Sequence, residues 1–60
     1  MRLIGQPKMW LVKIMENGVI INAMEIPSIS YNGAYNHGVT FAMQNYYYSK
    51  DDFEVIVKQL

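Results

Sequence analysis

The sequence predicts a small α+β domain over residues 1–60, in which one C-terminal helix packs on a three-stranded antiparallel sheet in the order β-β-β-α. Two runs of β-branched and aromatic residues on either side of Asn17-Gly18 indicate a β-hairpin. A third such run follows a turn-rich segment, and an apolar stripe of helical period comes last. With 52% apolar and 17% charged residues, the chain has the composition of a folded protein rather than a disordered one.

The predicted hairpin covers residues 9–25 and turns at Asn17-Gly18, because both residues tolerate the positive φ angles of a type I′ turn. A two-residue turn sets a register in which Glu16 faces Val19 and Ile14 faces Ile21. Trp10, Val12 and Ile14 then share one face of the first strand, which we predict to be the core face.

The opposite face of the hairpin is predicted to be an interaction surface. In the predicted register it carries Met9, Leu11, Lys13, Met15, Ile20 and Met24. This set is more apolar than a solvent-facing surface should be, and a single helix covers only one face of a sheet. A chain of 60 residues without cysteine also needs stabilisation from outside its own core. We therefore expect a homodimer, or a partner protein, on this face.

The second half of the chain is predicted to contain a loop, a strand and a helix. Pro27 ends the second strand, and residues 27–38 are rich in turn residues, so they are predicted to form a loop. Alternation over residues 39–48 predicts the third strand. Ser49 is typical of a helix N-cap, and apolar residues recur at helical spacing from Phe53, which predicts a helix over residues 50–59.

The predicted loop is a candidate partner-binding segment. Within it, Tyr-Asn-Gly-Ala is followed directly by Tyr-Asn-His-Gly, and its candidate binding residues are Tyr31, Asn32, Tyr35, Asn36 and His37. Tyrosine and asparagine give flat contact area and adaptable hydrogen bonds, as in binding loops generally. The alternative is a structural role, with two consecutive turns whose tyrosines fold back onto the sheet.

The sequence shows no constellation of catalytic or metal-binding residues. His37 is the only histidine, and no acidic residue lies near it in sequence to orient it as a general base. Asp51 and Asp52 are adjacent residues at the start of the predicted helix, where they fit the helix dipole better than a paired-carboxylate site. We therefore expect no enzyme activity, no metal and no cofactor.

The charge balance argues against a nucleic-acid partner. Five basic residues offset five acidic ones, and the basic residues are scattered along the chain. Tyr46, Tyr47 and Tyr48 could stack on bases, but strand alternation would divide them between two faces. No apolar run is long enough for a membrane span or a secretory signal, so we expect a cytoplasmic protein without a membrane partner.

These observations favour a small non-enzymatic protein-binding module. Chains this short and free of cysteine are common among accessory proteins of viruses and mobile elements that inhibit a host enzyme, for example a bacterial defence enzyme. The alternatives are a single-stranded nucleic-acid binder that uses tyrosine stacking and a structural subunit of a larger assembly.

Overall fold

A computed structural model, which describes residues 6–60, shows three strands and one α-helix in the order β-β-α-β. They are β1 (Lys8–Glu16), β2 (Val19–Ser28), α1 (Tyr31–Asn45) and β3 (Glu54–Gln59). The sheet is antiparallel with the strand order β2-β1-β3, so β1 is central and β3 forms one edge. The α+β class, the hairpin and the three-stranded antiparallel sheet are confirmed, whereas the predicted order β-β-β-α is wrong.

The hairpin turns where the sequence predicts. Asn17 and Gly18 both have positive φ angles, 52° and 79°, as a type I′ turn requires. Glu16 faces Val19, also as predicted. These two residue types adopt this conformation at little cost, which explains why the local sequence alone places the turn.

The register of the hairpin shifts by one residue beyond the turn. Met15 faces Ile20, but Ile14 faces Asn22, so Ile21 is an extra residue in β2. The predicted pairing of Ile14 with Ile21 is therefore wrong, because a β-bulge interrupts the ladder. Since side chains alternate between faces, one extra residue exchanges the two faces of β2 beyond this point.

This exchange of faces places Met24 on the core side of the sheet. The core face of β1 is as predicted, with Trp10, Val12 and Ile14 all buried. Met24, however, pairs with Val12 and packs against the buried core, so it does not belong to the predicted outer face. Ile26 is carried to the core by the same shift and is 6% exposed.

Helix α1 occupies the segment predicted as a loop over 27–38 and a strand over 39–48, and both of these predictions are wrong. Ser30 caps its N-terminus, because the Ser30 hydroxyl accepts a hydrogen bond from the Gly33 amide at 3.1 Å. The helix has no acidic residue in its first turn and no basic residue in its last. Packing on the sheet therefore stabilises it more than its own sequence does.

A stripe of small residues brings α1 close to the sheet. Ala34, Gly38 and Ala42 recur every four residues and are the buried positions of the helix. A Cβ atom at Gly38 would lie 2.6 Å from Cγ1 of Val12. Glycine at this position is therefore needed for the close approach of backbone and side chain.

The predicted helix over residues 50–59 is also wrong. Ser49 does accept a hydrogen bond from the Asp51 amide, at 3.2 Å, but it caps only a 3-10 turn at Lys50–Asp52. The residues that follow form β3, in which Val55 is half-buried and Ile56 is exposed. Three consecutive β-branched residues favour a strand, since their side chains pack well on a pleated surface.

The core lies between α1 and one face of the sheet, in two clusters that share Met24 and Val55 at their margins. The first cluster contains Trp10, Val12, Ile26 and Ala34. The second contains Ile14, Ala42 and Phe53. The indole Nε1 of Trp10 donates to the Ser28 carbonyl oxygen at 2.9 Å, so its polar atom is satisfied within the core.

Candidate interaction surfaces

The sheet carries helix α1 on one face only, and we call the opposite side the open face. The open face is defined by the residues that alternate with the core positions and pair with one another across the three strands. They are Met9, Leu11, Lys13, Met15, Ile20, Ala23, Glu25, Pro27, Glu54, Ile56 and Lys58.

Large apolar side chains on the open face are exposed. Met9 is 42% exposed, Ile20 52% and Ile56 47%. Leu11 and Met15 are half-buried, because they lie on the central strand between neighbours on both sides. Apolar side chains left in water on one surface are typical of a contact site for another molecule.

The charges of the open face are balanced and dispersed among its apolar residues. Glu25 and Lys58 flank Leu11 on its two sides, because Leu11 pairs with both of them. Lys13 lies centrally on β1, and Glu54, which is on β3, pairs with Met15. Two lysines therefore accompany two glutamates, so this surface has no net attraction for a polyanion.

Most of the predicted outer face of the hairpin lies on the open face. Met9, Leu11, Lys13, Met15 and Ile20 are all found there, and only Met24 is not. Sequence reasoning missed the contribution of β3, above all Ile56, because residues 50–59 were predicted to be helical. The alternating burial of Val55, Ile56 and Val57 is a strand pattern, and their β-branched side chains were the signal that could have shown it.

The predicted binding loop does not exist as a loop. Tyr31, Asn32, Tyr35, Asn36 and His37 all lie in the N-terminal half of α1, where helical geometry separates them around the axis. Tyr31 and Tyr35, four residues apart, stack with ring centroids 6.2 Å apart. The Tyr31 ring also meets Trp10 edge-on, with centroids 6.1 Å apart. Tyr31 therefore contacts the buried Trp10 while it stays 49% exposed itself.

The polar members of that set face solvent beside a shallow groove. Asn32, Asn36 and His37 are exposed. The groove has a volume of about 380 Å³ and is lined by Gly33, Asn36, His37, Thr40, Phe41 and Gln44. No carboxylate lines this groove, so the structure brings no acid to His37 there. Within residues 6–60, no three His, Asp or Glu side chains are grouped as a metal site.

The three consecutive tyrosines after α1 have three different environments. The Tyr47 ring stacks on Phe53, with centroids 4.9 Å apart. The Tyr46 ring packs edge-on against Phe41, and its hydroxyl accepts a hydrogen bond from the Asn22 amide group at 3.2 Å. Tyr48 is fully exposed. They do not form a continuous stacking platform.

Tyr47 joins the end of α1 to the end of β1 through a hydrogen bond. Its hydroxyl donates to Oε1 of Glu16 at 2.9 Å. Partial burial raises the pKa of Tyr47 above its ordinary value, and the hydrogen bond to Glu16 and the negative charges of Glu16 and Asp52 raise it further. Folding therefore favours the protonated phenol.

We expect Tyr47→Phe to lower the free energy of unfolding at neutral pH, because Glu16 loses its donor. The unfolded chain releases the Tyr47 proton near its ordinary pKa of 10.0, before the folded chain does. The stability contributed by the retained proton is thus present below that pH and is lost as pH rises through the folded value. The difference between wild type and variant should shrink over this range.

Urea unfolding at several pH values measures both effects, and Tyr48→Phe is the matched control because Tyr48 is fully exposed. Equal stability of Tyr47→Phe and Tyr48→Phe at neutral pH would contradict a stabilising contact between Tyr47 and Glu16.

Along residues 6–60, no helix combines the length and the apolar character needed to cross a membrane. Comparison with protein-family models, with curated protein sequences and with solved structures found no match to this chain.

Proposed function

We propose that this chain is a non-enzymatic protein-binding module and that its contact surface is the open face of the sheet. The observation that carries the proposal is the exposure of Met9, Ile20 and Ile56 on a face that helix α1 does not cover. Burying such side chains against a partner yields about 25 cal/mol for each Å² of apolar surface removed from water.

The chemistry of the open face supports a protein partner. Met9 and Met15 are flexible side chains that adapt to the shape of a partner surface. The charged residues are dispersed and of both signs, which matches the polar groups of a protein surface better than a phosphate backbone. We expect Leu11 and its neighbours on β1 to form the centre of the contact, because β1 is the middle strand.

The small size of the chain bears on the kind of partner that it binds. A 60-residue chain with one exposed apolar face is an economical inhibitor, since it needs only to cover a surface of its target. We propose an accessory protein of a virus or mobile element that inhibits a host enzyme, such as a bacterial defence enzyme, by direct binding.

Leu11→Glu is expected to weaken partner binding strongly while the domain stays folded. The side chain of Leu11 is half-buried among open-face neighbours and does not belong to either core cluster. A carboxylate at the centre of an apolar contact has to lose its hydration on binding, which we expect to weaken affinity by on the order of a hundredfold.

The measurement has two stages. The immobilised chain captures partners from a lysate of its host cells, and the captured protein is then purified and titrated by calorimetry against wild type and Leu11→Glu. Ile29→Glu is the matched control, because Ile29 is 62% exposed and lies outside the open face. If the target is an enzyme, its activity should fall to a stoichiometric endpoint with wild type and with Ile29→Glu.

Equal binding of Leu11→Glu and wild type would contradict the assignment of the open face. Circular dichroism of Leu11→Glu separates loss of binding from loss of folding, since the sheet and α1 should remain. A partner that binds with full affinity but leaves every activity of the target unchanged would contradict the inhibitor proposal and leave the binding proposal standing.

A further inference from the structure

The edge of the sheet formed by β3 carries a second interaction surface. We propose that two copies of this chain pair through this edge in antiparallel fashion, so that their sheets join into one sheet of six strands. The partner at this surface is a second copy of the chain. The proposal rests on the sequence and hydrogen-bond geometry of β3, and it does not depend on the proposed function of the open face.

The two edges of the sheet differ in how well they could accept another strand. The β2 edge contains Pro27, which lacks an amide hydrogen, and the bulge at Ile21, which bends the strand. Both features hinder the addition of a further strand. The strand β3 contains neither, and its pairing with β1 is regular from Glu54 to Gln59. Among residues 6–60, the β2 edge is therefore poorly suited to pairing with another strand, whereas the β3 edge is unpaired.

The backbone groups of β3 can be assigned a direction. The Leu60 amide donates to the Met9 carbonyl oxygen at 3.0 Å, so the Leu60 backbone faces β1. Since successive residues of a strand face opposite edges, Ile56 also faces β1, whereas Val55 and Val57 present their amide and carbonyl groups to the free edge. These groups are available to a second strand.

A two-fold pairing centred on Ile56 uses these groups fully. Val55 of each copy then faces Val57 of the other, and each such pair exchanges two backbone hydrogen bonds. The Ile56 side chains of the two copies meet at the centre, on the open face, where Ile56 is 47% exposed in the single chain.

The same register pairs opposite charges. Glu54 of each copy lies directly opposite Lys58 of the other, on the same face as Ile56. The segment Glu-Val-Ile-Val-Lys is thus self-complementary when it runs antiparallel to itself. A two-fold register centred on Val55 or on Val57 loses both ion pairs, because Glu54 then faces Ile56 or Leu60. Charge complementarity therefore selects one register.

The pairing fixes the shape of the assembly. The two-fold axis of an antiparallel strand pair is perpendicular to the sheet, so both copies of α1 lie on the same side. The two open faces then form one continuous surface on the other side, with the Ile56 pair at its centre.

Charge reversal at the two ends of the segment tests the proposal. We expect the pure wild-type chain to dimerise in sedimentation equilibrium over a wide concentration range. Glu54→Lys and Lys58→Glu each place like charges opposite one another twice, and each should weaken dimerisation by on the order of tenfold or more. The double reversal, Glu54→Lys with Lys58→Glu, should restore it. An equimolar mixture of the two single variants should form a heterodimer, because every charge then meets its opposite.

The matched control is Glu25→Lys, which reverses a charge on the open face away from β3 and should leave dimerisation unchanged. Restoration by the double reversal and by mixing also shows that the single variants are folded. A wild-type chain that stays monomeric at millimolar concentration would overturn the proposal. A dimer indifferent to both single reversals, but dissociated by Leu11→Glu, would overturn it too and would place the interface on the open face.

Discussion

Replacing Gly38 with valine is expected to keep helix α1 from packing on the sheet and to lower the free energy of unfolding by about 3 kcal/mol. A Cβ atom at Gly38 would lie 2.6 Å from Cγ1 of Val12 and 3.1 Å from Cγ1 of Val55. Both neighbours are β-branched, so their side chains have few alternative rotamers to adopt. Val12 is also fully buried, and its surroundings leave it no space to move.

The decrease in the free energy of unfolding expected for Gly38→Val is large relative to the stability of so small a domain. A chain of 60 residues has a free energy of unfolding of about 3–9 kcal/mol. Gly38→Ala should have a smaller effect, because alanine adds only the Cβ atom and gains about 1 kcal/mol in helix propensity over glycine. The gradation from alanine to valine distinguishes crowding at the helix-sheet contact from a change in the helix alone.

Urea unfolding followed by circular dichroism measures both variants. Asn36→Val is the matched control, since Asn36 is an exposed residue of the same helix and receives the same β-branched side chain. If Gly38→Val and Asn36→Val unfold at the same urea concentration, α1 does not approach the sheet as closely as the structure shows.

The first half of the fold could be predicted because its signals are local. The turn at Asn17-Gly18 depends on two residues that accept positive φ angles, and the core face of β1 follows from strict alternation. The bulge at Ile21 could not be predicted in this way. The run from Val19 to Ile21 is uniformly apolar, so no residue in it marks which one leaves the ladder.

The second half of the chain contradicts its local signals. Residues 31–45 contain two glycines, three asparagines and two tyrosines, all poor helix formers, and they nevertheless form α1. The decisive feature is tertiary: small side chains at Ala34, Gly38 and Ala42 let the helix approach the sheet. Their spacing of four residues was visible in the sequence. Gly38, however, lies at the end of the segment predicted as a loop, whose glycines and asparagines are typical turn residues.

The assignment of β3 failed for a different reason. Phe53, Ile56, Val57 and Leu60 have helical spacing, and the same segment also has a strand pattern of β-branched residues. A six-residue strand is too short for periodicity to decide between the two. Pairing with β1 decides it, and this pairing joins residues far apart in the sequence, for example Val12 with Val57.

The residues of the open face divide in the same way between local and tertiary signals. The β1 part of the open face was predicted, since it depends only on alternation within a regular strand. The contribution of Ile56 and its charged neighbours was not, because it requires β3 to be a strand. The segment from Tyr31 to His37 does not form the predicted binding loop, because those residues belong to α1.

Ile14→Ala is expected to lower the free energy of unfolding by about 2–5 kcal/mol, a large share of the total of about 3–9 kcal/mol for a chain of this length. Ile14 is fully buried on the central strand and packs in the cluster that contains Ala42 of α1 and Phe53 before β3. Truncation leaves a cavity between elements that cannot close it without separating from β1. Ile29→Ala, at a position 62% exposed, is the matched control and should change stability by less than about 0.5 kcal/mol. Similar urea midpoints for the two variants would mean that the helix, the central strand and the start of β3 do not share one core at Ile14.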